Sequence, residues 1–459
     1  METKQTEWLN RNGPKLLSDL IRVDTSNPPG NETELAKFVC DWLKKFNFSC
    51  EIVGPNPERN SAVMVWHGKE SDNGIILMSH LDVVPAVGRD WTYPPFSGQI
   101  ADGYIWGRGA IDAKGVLAAQ MLAVAMLKKD GFEPRHKIVL IATADEEAGG
   151  NLGIKWLVEN RQDLFEGASL AINEGGGISI SLPRANLYFL QTAEKGNCWL
   201  RLVAEGLGGH GSMQTGDSPV TRILKATNAL TKVRMGIKIP KTTINTILAI
   251  IKNGGLFGVI IPLRRLIPRT KDISIFKAFS NLRSLPKQTG NSFTVLRHLF
   301  THSINITGLK GYEKPNVIPD RAEATVDLRV LPGSKPEPVI KAIRAIASAW
   351  DVRVETIEAQ EGFEFAPDKR FMDILKGVLK EEDPRADLAQ YMLPGSSDAK
   401  FLIRKGIKVY GFFPMFPRRS LLEFGSMVHG KNERIRVEEL LFAAKIYYKL
   451  LKQIGTGRV

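Results

Sequence analysis

Along the first 190 residues, apolar and polar positions switch repeatedly between a helical and a strand-like period. Residues 35–45 carry apolar positions at helical spacing, and 49–53 and Ser61–Trp66 read as strands. Residues 74–80 (GIILMSH) are a short apolar run ending in polar residues, as in a buried strand that stops at an active site. Residues 116–128, rich in Ala, Leu and Met, predict a helix; His136–Thr143 (HKIVLIAT) predicts a second buried strand. A helix over 152–160 and a strand over 168–172 follow. Strands alternating with helices imply an α/β fold, a mostly parallel sheet with helices on both faces.

After Glu194 the rhythm changes. Residues 198–204 read as a strand, 219–233 as a helix, 303–309 and 322–330 as strands, 338–347 as a helix and 352–357 as a last strand. With 232–300 set aside, the order is β-α-β-β-α-β, the ferredoxin-like arrangement. From about Glu361 the α/β character resumes, closing with a helix over 437–451. The expectation is two domains: an α/β domain from 1–194 and 361–459, and an inserted α+β domain from 195–360.

Composition then narrows the class. Apolar residues are 43% and charged residues 24% of the 459, which excludes disordered and fibrous chains. The net charge is +13, from 62 basic and 49 acidic residues, an excess that suggests an anionic partner. Its location weakens that inference. Residues 232–300 hold thirteen basic residues and one acidic residue, Asp272, so the rest of the chain is close to neutral. This basic, apolar elaboration suits a segment packing on itself or a partner subunit, a contact with an anionic membrane, or an acyl-chain pocket. It lacks a nucleic-acid module and aromatic-basic interleaving, so nucleic-acid binding is not expected as the main function. Residues 246–267, the most apolar stretch, are broken by Lys252, Arg264 and Arg265, and no membrane span is expected. Cys40, Cys50 and Cys198 are scattered and odd in number, and are expected as buried thiols of a reduced compartment. Residues 1–8 have charges with no apolar stretch behind them, so no signal peptide is expected and the expected location is cytoplasmic.

The seven histidines focus the search for chemistry. His80 ends a buried strand and Asp82 follows at i+2, on the same side. That spacing lets a metal-bound imidazole pass its other N–H to a carboxylate; a satisfied polar pair at a strand end is the alternative. In Trp106-Gly-Arg-Gly-Ala-Ile-Asp112-Ala-Lys-Gly115, a phosphate cradle is one reading. Gly107 and Gly109 do not follow a strand in the dinucleotide pattern, however, and Asp112 sits where a backbone amide should meet phosphate. The loop more readily presents Asp112 as a ligand. Asp145-Glu146-Glu147 ends a fully apolar strand, where three carboxylates would repel one another without a cation. Glu146 and Glu147 point in different directions, so one can be a base and the other a ligand. Asn173-Glu174-Gly repeats the pattern, His429 supplies a late imidazole, and His210 stands in the inserted domain. His67, His136, His298 and His302 have no such context and are expected to be structural. Two imidazoles and three carboxylates, with a further carboxylate free, suit a bridged pair of divalent ions better than one tetrahedral zinc.

These segments resemble, in order, the di-zinc metallopeptidases that include aminoacylases, carboxypeptidase G, carnosinase-like dipeptidases and succinyl-diaminopimelate desuccinylase. The resemblance runs through Ser79-His80-Leu-Asp82, Gly107-Arg-Gly-Ala-Ile-Asp112, Asp145-Glu146-Glu147, Asn173-Glu174-Gly, Gly208-Gly-His210-Gly-Ser, Asn316-Val-Ile-Pro319, Asp327-Leu-Arg329 and His429-Gly. It implies that Asp112 bridges two divalent ions, with zinc expected and cobalt or manganese open. His80 and Glu174 would complete one ion and Glu147 and His429 the other. Glu146 would be the general base acting on a metal-bridging water, and Asp82 would orient His80. His210 would stabilise the oxyanion from a partner subunit of a lid-mediated homodimer. Asn316, Arg329 and Gly395 would bind substrate, Arg329 through its carboxylate. The expected reaction is cleavage of an amide beside a free carboxylate, dipeptidase- or carboxypeptidase-like. N-acyl-amino-acid deacylation is the alternative: the Glu174 position is often Asp in the peptidase branches, and Glu fits deacylases too.

Overall fold

The computed structural model describes residues 3–213, 216–233, 238–264, 299–311, 314–417 and 421–456. Its largest sheet runs Cys50–Val53, Ser61–Trp66, His136–Thr143, Glu70–His80, Ala168–Asn173, Lys408–Gly411, Asn186–Glu194, Phe363–Glu364. Ser179–Ser181 and Ala386–Leu393 also pair with Asn186–Glu194. The α/β expectation holds, and the sheet is parallel through its centre. Its flanks are antiparallel, and at the Cys50–Val53 edge the short connection 54–60 to Ser61–Trp66 could not make the crossover that a parallel neighbour needs.

Period-two alternation gives the sheet two cores. Ile75 and Leu77 join the cluster under the helices Thr3–Arg22, Lys114–Lys129 and Val437–Gly455. Ile76 and Met78 point the other way, to the cluster that holds Ile154, Leu157, Ala399 and Leu402. The helix Lys114–Lys129 is buried through Leu127, because sheet and helices enclose it; its Ala-rich sequence permits that close approach.

The chain leaves this sheet at Glu194 and returns at Phe363, which pair with each other. Between them a second sheet runs Ser303–Lys310, Arg321–Val330, Gly196–Glu205, Arg353–Ala359, all antiparallel. Helices Pro219–Thr231 and Pro336–Ser348 cover one face through Ile223, Ala226, Leu230, Ile340 and Ile343. Element order and strand order are those of the ferredoxin-like arrangement. A ribbon pairing Gly209–His210 with Val317–Ile318 carries His210.

Two expectations change. Cys40 and Cys50 are joined in a disulfide, not free thiols: the chain turns after the helix Glu32–Lys44 and brings Cys50 back beside it, with a Cα–Cα distance of 5.1 Å. Cys198 is the free, buried cysteine. The basic segment does not stay with the inserted sheet either. Its helix Lys241–Arg264 lies on the large sheet, where Ala249 and Ile250 pack with Leu187, Phe189, Ala389 and Tyr391. Thr246 Oγ1 donates to Gln390 O at 2.6 Å and Asn253 Nδ2 to Asp387 Oδ2 at 3.1 Å. Residues 234–237 and 265–298, His298 among them, lie outside the described residues. Among the described residues no helix is long and apolar enough to cross a membrane.

Candidate metal and hydrolytic centre

Three neighbouring parallel strands, His136–Thr143, Glu70–His80 and Ala168–Asn173, end at one edge of the sheet. The register sets His80 opposite Thr143, so His80 and the turn carrying Glu146 and Glu147 emerge together, and Glu174 follows on the other neighbour. Carboxyl ends of such strands are where open α/β sheets hold ligands.

Two groups of ligand atoms form there, and both contain Asp112. His80, Asp112 and Glu174 make one; Asp112, Glu147 and His429 make the other, with the chosen atoms of each group within 4.8 Å of one another. His80 Nε2 lies 3.0 Å from Asp112 Oδ1 and 3.6 Å from Glu174 Oε2. His429 Nε2 lies 3.2 Å from Asp112 Oδ2 and 3.3 Å from Glu147 Oε1. His429 itself sits in the left-handed region with φ 59°. The next residue has to be glycine, since a Cβ on Gly430 would stand 1.9 Å from Ser426 O.

Charge is poorly balanced without a cation. Burial pushes the Glu146 carboxyl well above its ordinary range, and Glu174, Asp398 and Glu147 add to that. Burial also carries Glu174 up to about 8, with Asp112 reinforcing it against His80. Burial alone would lower His80; Glu174, Asp112 and Asp82 outweigh it and raise it well above its ordinary value. Asp112 and Glu147 beside His429 raise that imidazole to about 10. Glu147 Oε1 is buried and, apart from the approach of His429, has no hydrogen-bonding partner among the described residues. Acceptor atoms in excess, converging on two shared groups, are the donor set that divalent cations complete. His80, Asp112 and Glu174 would hold one ion and Asp112, Glu147 and His429 a second.

Residues that carried no local signal in the sequence fix these ligands. Glu433 is fully buried, and its Oε1 accepts N–H groups from Ile111 (2.8 Å) and Asp112 (3.1 Å). Its Oε2 accepts from Gly109 N at 3.1 Å and Arg108 Nη1 at 2.7 Å. The glycine-rich loop is therefore wrapped around a carboxylate, which explains why it presents Asp112 instead of cradling phosphate. The acidic turn also divides by role. Asp145, at φ 69°, accepts from Arg59 Nη2 at 2.7 Å and from Leu152 N at 3.0 Å. Arg59 is shared with buried Glu32, at 2.6 Å from Nε and 2.8 Å from Nη2. An arginine, not a cation in the cluster, thus balances the first of the three consecutive acids.

Asp82 differs in detail from the expectation. His80 Nδ1 lies 2.8 Å from the Asp82 backbone oxygen and 3.6 Å from its carboxylate. That carboxylate accepts the N–H groups of Glu146 (3.1 Å) and Glu147 (3.0 Å) and Asn27 Nδ2 at 2.8 Å. One residue therefore orients the imidazole through its backbone and the acidic turn through its side chain.

The remaining expected site residues lie outside the two ligand groups. His210 is exposed, with Nδ1 2.8 Å from Ser212 Oγ, and exposed Asn316 stands beside it, its carbonyl accepting Gly211 N at 2.7 Å. Arg329 has its fork on Asp327, at 2.7 and 2.9 Å. Gly395 precedes Ser396 and Ser397, whose hydroxyls and the Ser397 N–H all reach buried Glu194. Of the histidines expected to be structural, His67 is exposed and His302 Nδ1 accepts Leu331 N at 2.9 Å. His136 is buried beside Glu70 and Asp72.

Comparison with known proteins agrees with this geometry. The family model described as peptidase family M20/M25/M40 matches residues 76–453. The chain is 29% identical to a probable carboxypeptidase S-like 2 of Dictyostelium discoideum, over 85% of this chain and 74% of that protein. It is 26% identical to aminoacylase-1 of Sus scrofa, over 96% of this chain and 95% of that protein. In fold it is similar to the solved structure of the di-peptidase Dug1p of Saccharomyces cerevisiae, with a TM-score of 0.74, 16% identity and coverage of 99% and 98%. The matched span includes every residue of both ligand groups, and the chain belongs to peptidase family M20/M25/M40 as a hydrolytic enzyme.

Proposed function

We propose that the protein hydrolyses an amide bond beside a free carboxylate in a small peptide, with Glu146 as general base at a site holding two divalent cations. The observation that carries this reading is Asp112 shared between two His-carboxylate groups, with Glu146 on the adjoining turn. Divalent cations bound there supply Lewis acidity toward the amide carbonyl and make a coordinated water acidic near neutrality. Zinc suits the imidazole-carboxylate set, and cobalt and manganese are the other candidates.

The side chains then divide the work. Asp82 holds the Glu146 and Glu147 N–H groups, fixing the turn from which Glu146 reaches the attacking water. Glu146 takes that water's proton and returns it to the leaving nitrogen. Burial, which pushes this carboxyl upward, makes its carboxylate a stronger base than an ordinary one for taking the water's proton. Exposed His210 reaches the site of a second copy in a homodimer and donates to the developing oxyanion. Arg329 exchanges Asp327 for the substrate carboxylate, while Asn316 and the Gly395 backbone bind near the scissile bond.

Near-full-length similarity to aminoacylase-1 supports the second reading, N-acyl-amino-acid deacylation. Screening dipeptides against N-acyl amino acids, with apo protein reconstituted by zinc, cobalt or manganese, separates the two. Higher kcat/KM for dipeptides is expected; preference for N-acyl amino acids would replace the first reading with the second.

A further inference from the structure

Glu194 ends the strand Asn186–Glu194, where the chain leaves the large sheet for the inserted domain. Its backbone is held on both sides. One Cα partner is Phe363, where the chain returns, and the other is Leu393, which leads into Pro394-Gly395-Ser396-Ser397. The returning chain is pressed against it, since a Cβ on Gly362 would stand 2.4 Å from Glu194 O.

On this fixed backbone the carboxylate is 1% exposed, and a buried carboxylate has to find donors. Oε1 accepts Ser396 Oγ at 3.1 Å and the Ser397 N–H at 2.9 Å. Oε2 accepts Ser397 Oγ at 2.7 Å and Gln191 Nε2 at 3.0 Å. Two acceptor-only oxygens meet every one of these donors; an amide in the same place would offer one oxygen and oppose the rest with its own N–H groups. The Ser397 hydroxyl has one proton, which goes to Glu194. Its oxygen is thereby turned to receive Asn173 Nδ2 and Ala399 N, both at 3.3 Å, and Asn173 precedes the ligand Glu174. The far end of the same loop is tied separately, Asp398 Oδ2 accepting Thr143 Oγ1 at 2.7 Å. Gly395 has no side chain with which to fix itself, so its backbone direction comes from the clamped residues that follow.

We propose that Glu194 is a positioning residue for the reaction: by clamping Ser396 and Ser397 it holds the Gly395 backbone in the orientation that receives substrate. This rests on the proposed contact between Gly395 and substrate, and Glu194 itself belongs to neither ligand group.

Steady-state kinetics of Glu194→Gln, with metal content measured in the same preparation, test it on the substrate class that wild type prefers. The variant keeps the volume and opposes the clamp's donors. KM is expected to rise about 10–100-fold, the scale of a misplaced substrate, with kcat little changed and metal content as in wild type. Ser397→Ala, which removes part of the clamp, is expected to raise KM less, and the double variant to add little to Glu194→Gln, because both act through one contact. A merely structural role would lower kcat with the folded fraction and leave KM alone. Unchanged KM in Glu194→Gln therefore overturns the proposal, and so does activity lost in step with metal. Should Glu194→Gln fail to fold, Ser397→Ala carries the same test, and an unchanged KM there overturns the proposal as well. Wild type without turnover on either substrate class would instead remove the hydrolytic reading. Hydrogen exchange of the Ser397 amide then decides: faster exchange in Glu194→Gln supports the clamp and equal exchange overturns it.

Discussion

Glu433 Oε1 accepts the backbone N–H of Asp112 at 3.1 Å, so a buried carboxylate over three hundred residues away sets the direction of the residue shared by both ligand groups. Partners that orient ligands are worth ~10–100-fold in metal affinity or activity. Glu433→Gln keeps the volume but puts a donor where the loop needs acceptors. It is expected to weaken metal retention on dialysis by about that factor, with circular dichroism unchanged; undiminished retention would show that the loop holds its shape without Glu433.

Arg59 bridges two buried acids, Glu32 and Asp145, with side-chain exposures of 12%, 0% and 6%. Arg59→Met leaves both carboxylates without their cation. Removing one partner from a buried ion pair costs ~3–5 kcal/mol, and urea denaturation should show a loss of that order. A loss below about 1 kcal/mol, the scale of an exposed pair, would mean that the triad is not the anchor of the acidic turn.

Asp387 ties the basic helix to the sheet and gives a pH test remote from the ligand groups. Burial would raise its carboxyl, but Lys376 Nζ at 2.5 Å and Asn253 Nδ2 at 3.1 Å hold it below its ordinary 3.8. A carboxyl depressed in the folded state contributes stability that is present above 3.8 and is lost as pH falls through the lowered folded value. The difference in unfolding free energy between wild type and Asp387→Asn should stay constant from neutral pH down to about 5 and shrink below 3.8. A difference that does not change with pH would remove the linkage.

His210 is exposed in the single chain and outside both ligand groups. If it serves a partner's site, His210→Ala and Glu146→Ala are each inactive alone, yet a mixture refolded together regains activity. Mixed dimers contain one site with an intact Glu146 and a His210 from the neighbour. Persistently inactive mixtures would place His210 elsewhere in the mechanism.

Three of the ligands, and the base beside them, were legible because they follow an apolar run and meet a glycine or turn: His80 after GIILMS, Glu147 with Glu146 after HKIVLIAT, Glu174 before three glycines. A buried parallel strand has to be apolar on both faces, so a charge at its end stands out. The residues that hold those ligands have no such signature. Arg59, Glu32, Asn27 and Glu433 are ordinary polar residues until the fold brings them under the site. The basic segment 232–300 reads as part of the inserted domain because it follows that domain's first helix in sequence. The helix Lys241–Arg264 within it docks on Ala386–Leu393 through Ala249 and Ile250 together with inward threonines and an asparagine, a mixed face that a search for an apolar stripe passes over. The Cys40–Cys50 bond was hidden for a related reason, since two cysteines ten residues apart reveal nothing until the helix and strand carrying them turn back on each other.

Glu146→Gln, assayed for metal content and turnover in one preparation, tests the hydrolytic account most directly. Two divalent ions per chain should remain, since Glu146 is in neither ligand group, while turnover falls by at least ~10²–10⁴-fold. Turnover near wild type with the metals in place would contradict Glu146 as the base.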